Sequence, residues 1–498
     1  MDSVKSLPEG NQEWHGPNII IEKYQIQPGV TEVEIVKIPE TSEIMYMVRE
    51  PEISQQQRNE ITKLRDLISS LIPDLVSSSR KNAPDMEKMI QSFIRERFPW
   101  LSGSVKQTYE YYLNRDFSGY GVIDPIVRDP NVEDISCNGP GIPVFVFHSV
   151  YGSIRTNITF ATEIDLSSYI IHMGQLCGKP VSISSPLLDG ITRDGHRVEA
   201  IYSREVSDRG PAFTIRLFRE SPFTPTELIR TGAADPFMLS YLWLMVENLN
   251  SALIVGVPGS GKTSTLNSIL MFAPENTKIF SIEETRELNL SHENWVPAET
   301  RELQGRNPNG ISAYGLFDLV KVAMRQRPTY IVVGEVRGKE VYALFQAMAT
   351  GHTTYSTIHA DSMHSLMNRL ENEPMNVPKL MISYLNIVIF VNFVKHGEKR
   401  VRRITEISEI VGIDPESGEF TYNRAFYYDP SSDSFVFTGN SVLFSKIADQ
   451  KGIGFDDILD EARKRSRVLE ELAIQGADQG KTAAAISSYI RKGEPSHD

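Results

Sequence analysis

The stretch ALIVGVPGSGKTST constrains the fold more than any other part of the chain. Its four apolar residues, Ala252–Val255, predict a short buried strand, and the run STLNSILMF after the loop predicts a helix. The loop itself fits the pattern G-x-x-x-x-G-K-[ST] through Gly256, Gly261, Lys262 and Thr263. Because a strand, a glycine-rich loop and a helix follow in this order, the sequence predicts a P-loop domain of the α/β class.

The residues of this loop predict ATP and Mg²⁺ as ligands. Glycines let backbone N–H groups turn toward phosphate oxygens, and the helix N-terminus adds free donors. Lys262 is placed to reach the β- and γ-phosphates, and the Thr263 hydroxyl to ligate Mg²⁺. A glycine-rich turn that matches by chance is the alternative, and the strand and helix on either side argue against it. The predicted nucleotide-binding residues are Gly256, Val257, Pro258, Gly259, Ser260, Gly261, Lys262, Thr263 and Ser264.

Two further apolar runs end in glutamate. KIFSI leads into Glu283 and Glu284, and YIVVG leads into Glu335. Carboxylates at the carboxyl ends of parallel strands point into the ligand crevice of an open α/β sheet. At this edge Glu283, Glu284 and Glu335 could orient the attacking water or support Mg²⁺ through its waters. The candidate metal ligands are Thr263, Glu284 and Glu335. An exposed acidic turn, and a strand that ends in glutamate by chance, are the structural alternatives.

Two histidines, His352 and His359, flank the run TTYSTI and raise the question of a metal site. Such a site needs a third ligand, and the chain has only ten histidines and two cysteines, none at a helpful spacing nearby. HTTYSTIH predicts a strand beside the one that ends in Glu335, and a neutral core histidine is the plain alternative. We favour a γ-phosphate sensor. One histidine would bind phosphate, water or Glu335, and the other would pass that state toward a subunit interface.

Charge and composition exclude several function classes. With 51 lysines and arginines against 64 acidic residues, the net charge is −13, which argues against nucleic acid as a partner. One short basic cluster, KHGEKRVRR, is predicted to be a solvated hairpin between strands. Cys137 and Cys177 form no CxxC pair, so no zinc module is expected and both thiols should be reduced.

The sequence shows no feature of a secreted or membrane-spanning protein. The N-terminus lacks the basic and apolar regions of a signal peptide. The most apolar run, LMISYLNIVIFVNFV, is shorter than the about 20 residues that a spanning helix needs, and it predicts a buried strand. We therefore expect a soluble cytoplasmic protein without a direct membrane span, which meets a membrane only through partners.

Changes in pattern along the chain predict an N-terminal α+β part joined to a C-terminal α/β core. Alternating β-branched residues predict strands in a loosely ordered N-terminal extension, and an apolar period near 3.6 predicts helices after it. A segment rich in Pro, Thr and Gly predicts an interdomain linker. The expected boundaries are 1–55 for the extension, 56–118 for a helical subdomain, 119–218 for an α/β domain, 219–236 for the linker, and 237–498 for the nucleotide-binding domain with C-terminal helices.

The order of four motifs resembles the secretion-superfamily ATPases, which drive type II secretion, type IV pili, the archaellum and type IV secretion. The motifs are the P-loop, IEETREL, IVVGEVRG and TGHTTYSTIHADS. The resemblance runs from about residue 119 to about residue 476. It implies a homohexameric ring, a PAS-like N-terminal domain and a RecA-like C-terminal domain. It also implies a polytopic membrane platform protein as partner, at the cytoplasmic face of the membrane.

The resemblance also implies roles for individual residues. Glutamates that correspond to Glu283 and Glu335 act on the water and the metal, and His352 and His359 fall on the two histidines of the family's His box. In the family, arginines of the N-terminal domain reach the nucleotide. The matching candidates here are Arg197, Arg204, Arg216 and Arg219. A structural ion pair is the alternative for each of them.

Three departures from the family pattern point to a branch. The acidic box reads Glu283–Glu284 where many members have Glu–Asp, and Thr329 stands where an acid often precedes the second acidic strand. The four-cysteine zinc module of bacterial type II secretion members is absent. With the long acidic N-terminal extension, these features resemble the archaeal type II secretion-like branch.

We therefore predict an ATP-hydrolysing motor that powers protein secretion or the assembly of a type IV pilus-like filament. Two alternatives stay open at the level of sequence. A DNA-directed P-loop motor would show DNA-stimulated hydrolysis with a steep salt dependence. A nucleotide-gated scaffold would bind ATP and barely hydrolyse it, and the departure at Thr329 keeps this second alternative open.

Overall fold

A computed structural model describes residues 19–78, 86–101, 103–218, 222–301, 314–396 and 399–492. The chain divides into two compact units, Met1–Phe218 and Arg219–Asp498, called here the N-terminal unit and the C-terminal unit. Within the described residues, each unit contains one sheet of nine strands. The predicted α/β class, with an N-terminal and a C-terminal part, is confirmed.

The described part of the N-terminal unit combines five α-helices with a mostly antiparallel sheet. Its elements are β1 (Ile19–Gln27), β2 (Thr31–Lys37), β3 (Ile44–Arg49), α1 (Gln55–Ser78), α2 (Met86–Arg97), α3 (Gly103–Phe117), a 3-10 turn (Gly121–Ile123), α4 (Asp124–Val127), β4 (Val132–Cys137), β5 (Pro143–His148), β6 (Gly152–Thr159), α5 (Glu163–Leu176), β7 (Leu187–Ile191), β8 (Arg197–Ile201) and β9 (Ala212–Arg216). The strand order is β1-β2-β3-β6-β5-β4-β9-β8-β7. Only β3 and β6, among these neighbours, run parallel.

The expectation that residues 1–55 form a loosely ordered extension was wrong for 19–49. These strands continue the sheet of the N-terminal unit, because alternate residues such as Val33 and Tyr46 are buried in its main core. The Tyr46 hydroxyl also donates a 2.7 Å hydrogen bond to the buried carboxylate of Asp129. A local pattern of β-branched residues shows that strands form, and it does not show which sheet they join.

The helices α1, α2 and α3 bury a separate small core. Ile61, Leu64 and Ile68 on α1 pack with Ile90 of α2 and Leu113 of α3. The spacing of three and four residues places the α1 side chains on one helical face, which is why the periodic pattern predicted these helices.

The C-terminal unit is an open sheet with helices on both faces. Its elements are α6 (Pro225–Arg230), α7 (Pro236–Glu247), β10 (Ala252–Val255), α8 (Lys262–Leu270), β11 (Ile279–Glu283), β12 (Trp295–Glu299), α9 (Leu316–Arg325), β13 (Tyr330–Glu335), α10 (Glu340–Ala349), β14 (Thr353–Ile358), α11 (Met363–Glu371), α12 (Lys379–Ile382), β15 (Ile387–His396), β16 (Lys399–Ile413), β17 (Phe420–Asp429), β18 (Ser434–Phe437), α13 (Val442–Lys451), α14 (Phe455–Ile474) and α15 (Gln479–Lys492). The order is β12-β11-β13-β14-β10-β15-β16-β17-β18. Strands from β12 to β15 are parallel, and β15 to β18 form an antiparallel meander.

Strand β10 lies near the middle of this sheet and is buried on both faces. Ile254 belongs to one core cluster and Leu253 to the other, on the opposite face. A strand covered by helices on both sides needs apolar residues at every position, and Ala252–Val255 supplies them. The P-loop that follows is therefore anchored at the centre of the unit.

The predicted linker, 219–236, is in large part packed structure. Its first three residues, 219–221, lie outside the described residues. From there, Thr224 and Glu227 form a reciprocal capping box at the start of α6. Thr226 is fully buried. The Pro and Thr residues thus start a helix of the C-terminal unit, because threonine suits the N-cap and proline the first helical position.

Candidate active site

The parallel strands of the C-terminal unit end at one edge of the sheet. In register, Val255 of β10 pairs with Ile358 of β14, and Ile282 of β11 pairs with Val333 of β13. Ligands of open α/β sheets bind outside such carboxyl ends. The predicted site residues that lie at this edge are Gly256, Glu283, Glu335 and His359.

The P-loop turns sharply between β10 and α8, and its shape requires glycine. Gly259 and Gly261 have φ angles of 72° and 96°, in the left-handed region. A side chain at Gly256 would place its Cβ 2.1 Å from the carbonyl oxygen of Val391. Helix α8 begins at Lys262 without a side-chain cap from Gly261. Its first backbone N–H groups thus meet no competing side chain there and are suited to phosphate oxygens.

The Lys262 side chain is buried at the mouth of this loop. Its Nζ donates to the Val257 carbonyl oxygen at 3.1 Å and lies 3.0 Å from His359 Nδ1. Burial lowers the pKa of Lys262 to about 8, although the charges of Glu335 and Glu287 oppose the shift. A buried ammonium group that contacts neutral partners is stabilised when an anion replaces them, because opposite charges attract strongly away from water. This lysine is therefore suited to bind phosphate.

Glu335 and His359 form the next contact of the site. Glu335 Oε1 lies 2.8 Å from His359 Nε2 and 3.5 Å from Arg337 Nε. This buried oxygen is within ion-pair distance of both groups but has no aligned hydrogen bond. Burial, followed by the positive charge of Lys262, lowers the pKa of His359. A neutral His359 that accepts from Lys262 at Nδ1 carries its proton on Nε2, toward Glu335.

Glu283 lies in a different environment, with only 4 % of its surface exposed. Its Oε1 accepts backbone hydrogen bonds from Glu287 at 3.0 Å and Leu288 at 3.1 Å. Burial raises the pKa of Glu283 to about 7, against the effect of these two donors. A Cβ at Gly334 would lie 2.9 Å from Glu283 Cγ, so the glycine before Glu335 makes room for this carboxyl group. Glu283 thus holds the chain after β11 as well as facing the crevice.

Thr263 and Glu335 fit the demands of a Mg²⁺ site, and a role of Glu284 there stays a prediction. Thr263 lies in the first turn of α8, and Glu335 offers a carboxylate oxygen without an aligned partner. Glu284 is exposed and pairs with Arg337 at 2.8 Å. Among the described residues, no three His, Cys, Asp or Glu side chains are arranged to hold a metal. Mg²⁺ at this edge would therefore complete its shell with phosphate oxygens and water, as it does in other nucleotide sites.

The two histidines do not share a site. His359 follows β14 and lies beside Lys262 and Glu335. His352 precedes β14, and its Nδ1 lies 3.4 Å from the hydroxyl oxygen of Thr350. A strand of this length separates its ends by about 20 Å. The structure therefore separates His352 from the P-loop, because a strand of six residues carries its two flanking residues to opposite edges of the sheet.

Three of the four candidate arginines have acidic partners within the N-terminal unit. Arg219 lies outside the described residues. The other three form ion pairs, Arg197 with Glu199 at 3.1 Å, Arg204 with Glu163 at 2.8 Å and Arg216 with Asp134 at 3.3 Å. These contacts match the ion-pair alternative, and they leave a role toward nucleotide as a prediction.

One residue at the site was missed by sequence reasoning. Arg402, in the basic cluster that was predicted to be a solvated hairpin, donates through Nε to the Gly259 carbonyl oxygen at 2.9 Å. Its Cδ lies 3.3 Å from the position of a Cβ on Gly261. The hairpin of β15 and β16 is as predicted, but Arg402 lies against the P-loop. The density of arginines in KRVRR was the available signal, but no spacing rule connects it to Gly259, which lies 143 residues earlier in the chain.

Comparison with known proteins identifies the family. A family model described as type II/IV secretion system protein matches residues 202–424. An uncharacterised protein of Methanocaldococcus jannaschii is 36% identical over 500 residues, which cover 95% of this chain and 88% of that one. The chain is a secretion-superfamily ATPase.

Two further relatives show where the similarity is concentrated. A second uncharacterised protein of M. jannaschii is 41% identical to this secretion ATPase over 268 residues, 54% of this chain and 96% of the relative. The type IV secretion system protein PtlH of Bordetella pertussis is 28% identical over 360 residues, 65% of this chain and 96% of PtlH. Among the described residues of the secretion ATPase, no helix has both the length and the apolar character needed to cross a membrane.

Proposed function

We propose that this secretion ATPase is a homohexameric motor that converts ATP hydrolysis into domain motion. The motion powers protein secretion or the assembly of a type IV pilus-like filament. The observation that carries the proposal is the chain of contacts from Lys262 through His359 to Glu335 at the mouth of the P-loop. These contacts bring an ammonium group, an imidazole and a carboxylate together beside the P-loop, which supports a role of the three in binding and hydrolysing the triphosphate.

Nucleotide binding begins with Lys262. The ammonium exchanges the Val257 carbonyl and His359 for oxygens of the β- and γ-phosphates, whose charge stabilises its protonated form. The backbone N–H groups of the loop bind the same phosphates. Thr263 and Glu335 would hold Mg²⁺, which supplies neutralising charge and orients the phosphates when it is bound.

Hydrolysis then depends on Glu335. Its carboxylate accepts a hydrogen bond from a water and aligns that water with the γ-phosphorus, opposite the bridging oxygen of ADP. As the new P–O bond forms and the bond to the ADP oxygen breaks, the proton of the water passes to Glu335 or to the phosphate. His359, released by Lys262, is free to bind the γ-phosphate and to report its presence through Glu335 and the strand β14.

The partners follow from the family. The similarity to a type IV secretion system protein supports a role at a membrane machine. We propose a polytopic membrane platform protein as the recipient of the motion, with the motor in the cytoplasm against the membrane face. The departures in the acidic box and before β13 favour the archaeal type II secretion-like branch.

The test is the replacement Lys262→Ala. We expect phosphate release to fall to background, because the clamp is lost, while the circular dichroism spectrum stays the same. Lys278→Ala is the matched control, since the side chain of this half-buried lysine donates hydrogen bonds to Gln326 and takes no part in the nucleotide site. Near-normal hydrolysis by Lys262→Ala would overturn the proposal. Steady phosphate release from the wild type, without stimulation by DNA, excludes both the scaffold and the DNA-directed motor.

A further inference from the structure

A groove on the C-terminal unit lies among α7, β18 and α14. It has a volume of about 580 Å³. Pockets of 300–1,000 Å³ are the usual size for a specific small ligand or a few side chains. Its lining includes Phe237, Phe437, Leu459, Arg463, Ser466 and Arg467. None of these residues takes part in the nucleotide site described above.

The floor of the groove is aromatic and already formed. Phe237 and Phe437 pack edge to face, with ring centroids 5.5 Å apart, and Phe437 also lies 4.9 Å from Phe426. Phe426 is buried in the main core, whereas the other two rings are partly exposed. An apolar side chain placed here would bury its surface without any rearrangement of the floor.

One wall is a single face of α14. This wall is formed by Leu459 and by the residues four, seven and eight positions after it, which are Arg463, Ser466 and Arg467. These spacings place the four side chains on one side of the helix. Arg463 contacts Asp460 at 2.9 Å, but both side chains are more than half exposed, and such pairs contribute little. Within the described residues, Arg467 has no ion-pair or hydrogen-bond partner. The wall therefore presents two guanidinium groups that a ligand can engage.

The local charge contrasts with that of the whole chain. The run RKRSR on α14 is strongly basic, although the net charge of the chain is −13. Arg465 of this run is buried and paired with Glu247 and Glu461, so it supports the fold. Arg463, Lys464 and Arg467 remain exposed. Their charge selects an acidic occupant by complementarity.

The neighbouring strand adds a further feature. β18 is the last strand in its sheet, and among the described residues it pairs only with β17. Phe437 is the final residue of this strand and lines the groove. An extended segment can hydrogen-bond to the open side of such a strand while its alternate side chains enter a neighbouring pocket.

We propose that this groove binds an extended acidic segment of a partner protein. The segment adds to β18, places an apolar side chain on Phe237 and Phe437, and pairs its carboxylates with Arg463 and Arg467. The unpaired side of β18 next to the aromatic floor suits an extended polypeptide, because a peptide backbone can hydrogen-bond to a strand and a lipid cannot. The site is independent of nucleotide hydrolysis and gives the motor a place to hold a partner.

The test uses the full-length chain and a fluorescent peptide that alternates aspartate and leucine. We expect anisotropy to report saturable binding, weakened about tenfold or more by the double replacement Arg463→Ala and Arg467→Ala. Ser466→Glu, which adds a negative charge that repels the carboxylates of the peptide, should weaken binding similarly. Lys464→Ala is the matched control on the same helix and should change binding less than twofold. ATP hydrolysis should be unchanged in every variant, which separates this proposal from the proposed motor function.

Three outcomes would overturn the proposal. The first is no binding of the peptide by the wild type. The second is equal binding of a peptide that carries lysine in place of aspartate, or serine in place of leucine. The third is arginine-dependent binding to phosphatidylglycerol vesicles without binding to the peptide, which would make the groove a lipid site.

Discussion

At the scale of single residues, the two glutamates of the crevice differ in environment and therefore in role. Glu283 is buried, accepts two backbone hydrogen bonds and has its pKa raised to about 7. Glu335 lies beside His359 and Arg337 and keeps an oxygen free of aligned hydrogen bonds. Carboxyl groups whose surroundings differ in this way divide acid, base and structural tasks. We propose that Glu335 positions the attacking water and that Glu283 mainly fixes the conformation of the loop after β11.

This division predicts different effects of two isosteric changes. Glu335→Gln should lower kcat at least ~100-fold, the scale of losing a general base, and should leave ATP binding intact. Glu283→Gln keeps an oxygen that can accept from Glu287 and Leu288, so its loss of kcat should be smaller. Phosphate release and equilibrium binding of a fluorescent ATP analogue measure the two quantities. The exposed Glu275→Gln is the control, and a larger loss in Glu283→Gln than in Glu335→Gln would reverse the assignment.

The raised pKa of Glu283 also predicts a pH dependence of stability. A buried carboxyl with a pKa of about 7 keeps its proton while the unfolded chain, near 4.5, has lost it. The free energy of unfolding should therefore fall as pH rises from about 4.5 to about 7, by about 3 kcal/mol. Glu283→Gln does not titrate, so its stability relative to the wild type should rise between pH 5 and pH 8. Urea denaturation at both pH values measures the difference, and a constant difference would contradict the argument.

The sequence alone predicted those site residues that belong to a short motif of consecutive residues. The P-loop and Glu335 are defined by a few consecutive residues, and the structure brings them together with His359 in one crevice. His352 could not be placed in this way, because its position depends on the length of β14 rather than on its own surroundings. Glu284 was likewise assigned by proximity in sequence, and its ion pair with Arg337 could not be foreseen from that proximity.

At the scale of elements, the β15–β16 hairpin shows where sequence reasoning ends. Alternating apolar residues predicted its strands, and the charged tip predicted its exposure. The contact of Arg402 with Gly259 depends on β15 lying beside β10 in the sheet. Strand order is a property of the folded chain, so no pattern within the hairpin could indicate it. The same reason explains why the sheet position of β1–β3 was missed.

The hairpin contact predicts that Arg402 positions the P-loop. Arg402→Ala removes the donor to the Gly259 carbonyl, so the loop should bind ATP several-fold more weakly while kcat changes less. Such a split distinguishes a positioning residue from a group that acts in the transition state. Arg400→Ala is the matched control, because Arg400 stacks on Phe393 at 4.0 Å and belongs to the same hairpin. Equal effects of both changes on the Michaelis constant for ATP would assign the effect to the hairpin as a whole.

At the scale of the whole molecule, the arginines of the N-terminal unit are the residues whose role the fold alone does not explain. Arg197 and Arg216 are direct partners in the register of β8 and β9. Like charges in opposing positions of antiparallel strands disfavour the sheet, by roughly 0.2–1 kcal/mol for a pair. Flanking acids compensate part of this repulsion, and Arg216 remains largely exposed. Paired guanidinium groups at such a position suit an incoming phosphate, which would relieve the repulsion.

A mixing experiment tests whether these arginines complete the nucleotide site of a neighbouring subunit. Lys262→Ala subunits cannot hydrolyse ATP but keep their arginines, and Arg197→Ala or Arg216→Ala subunits keep an intact P-loop. If an arginine acts in trans, neither variant should hydrolyse ATP alone, and mixtures should regain activity because one subunit supplies the charge that its neighbour lacks. Arg204→Ala and Arg219→Ala are tested in the same way. Phosphate release is measured across mixing ratios, and light scattering gives the oligomeric state of each mixture.

Two kinds of result would contradict these roles. An arginine is excluded from the role in trans if its variant is fully active alone, or if the variant is inactive and is not rescued at any ratio. The ring is excluded as the active unit if hydrolysis per subunit stays unchanged at dilutions where only monomers remain.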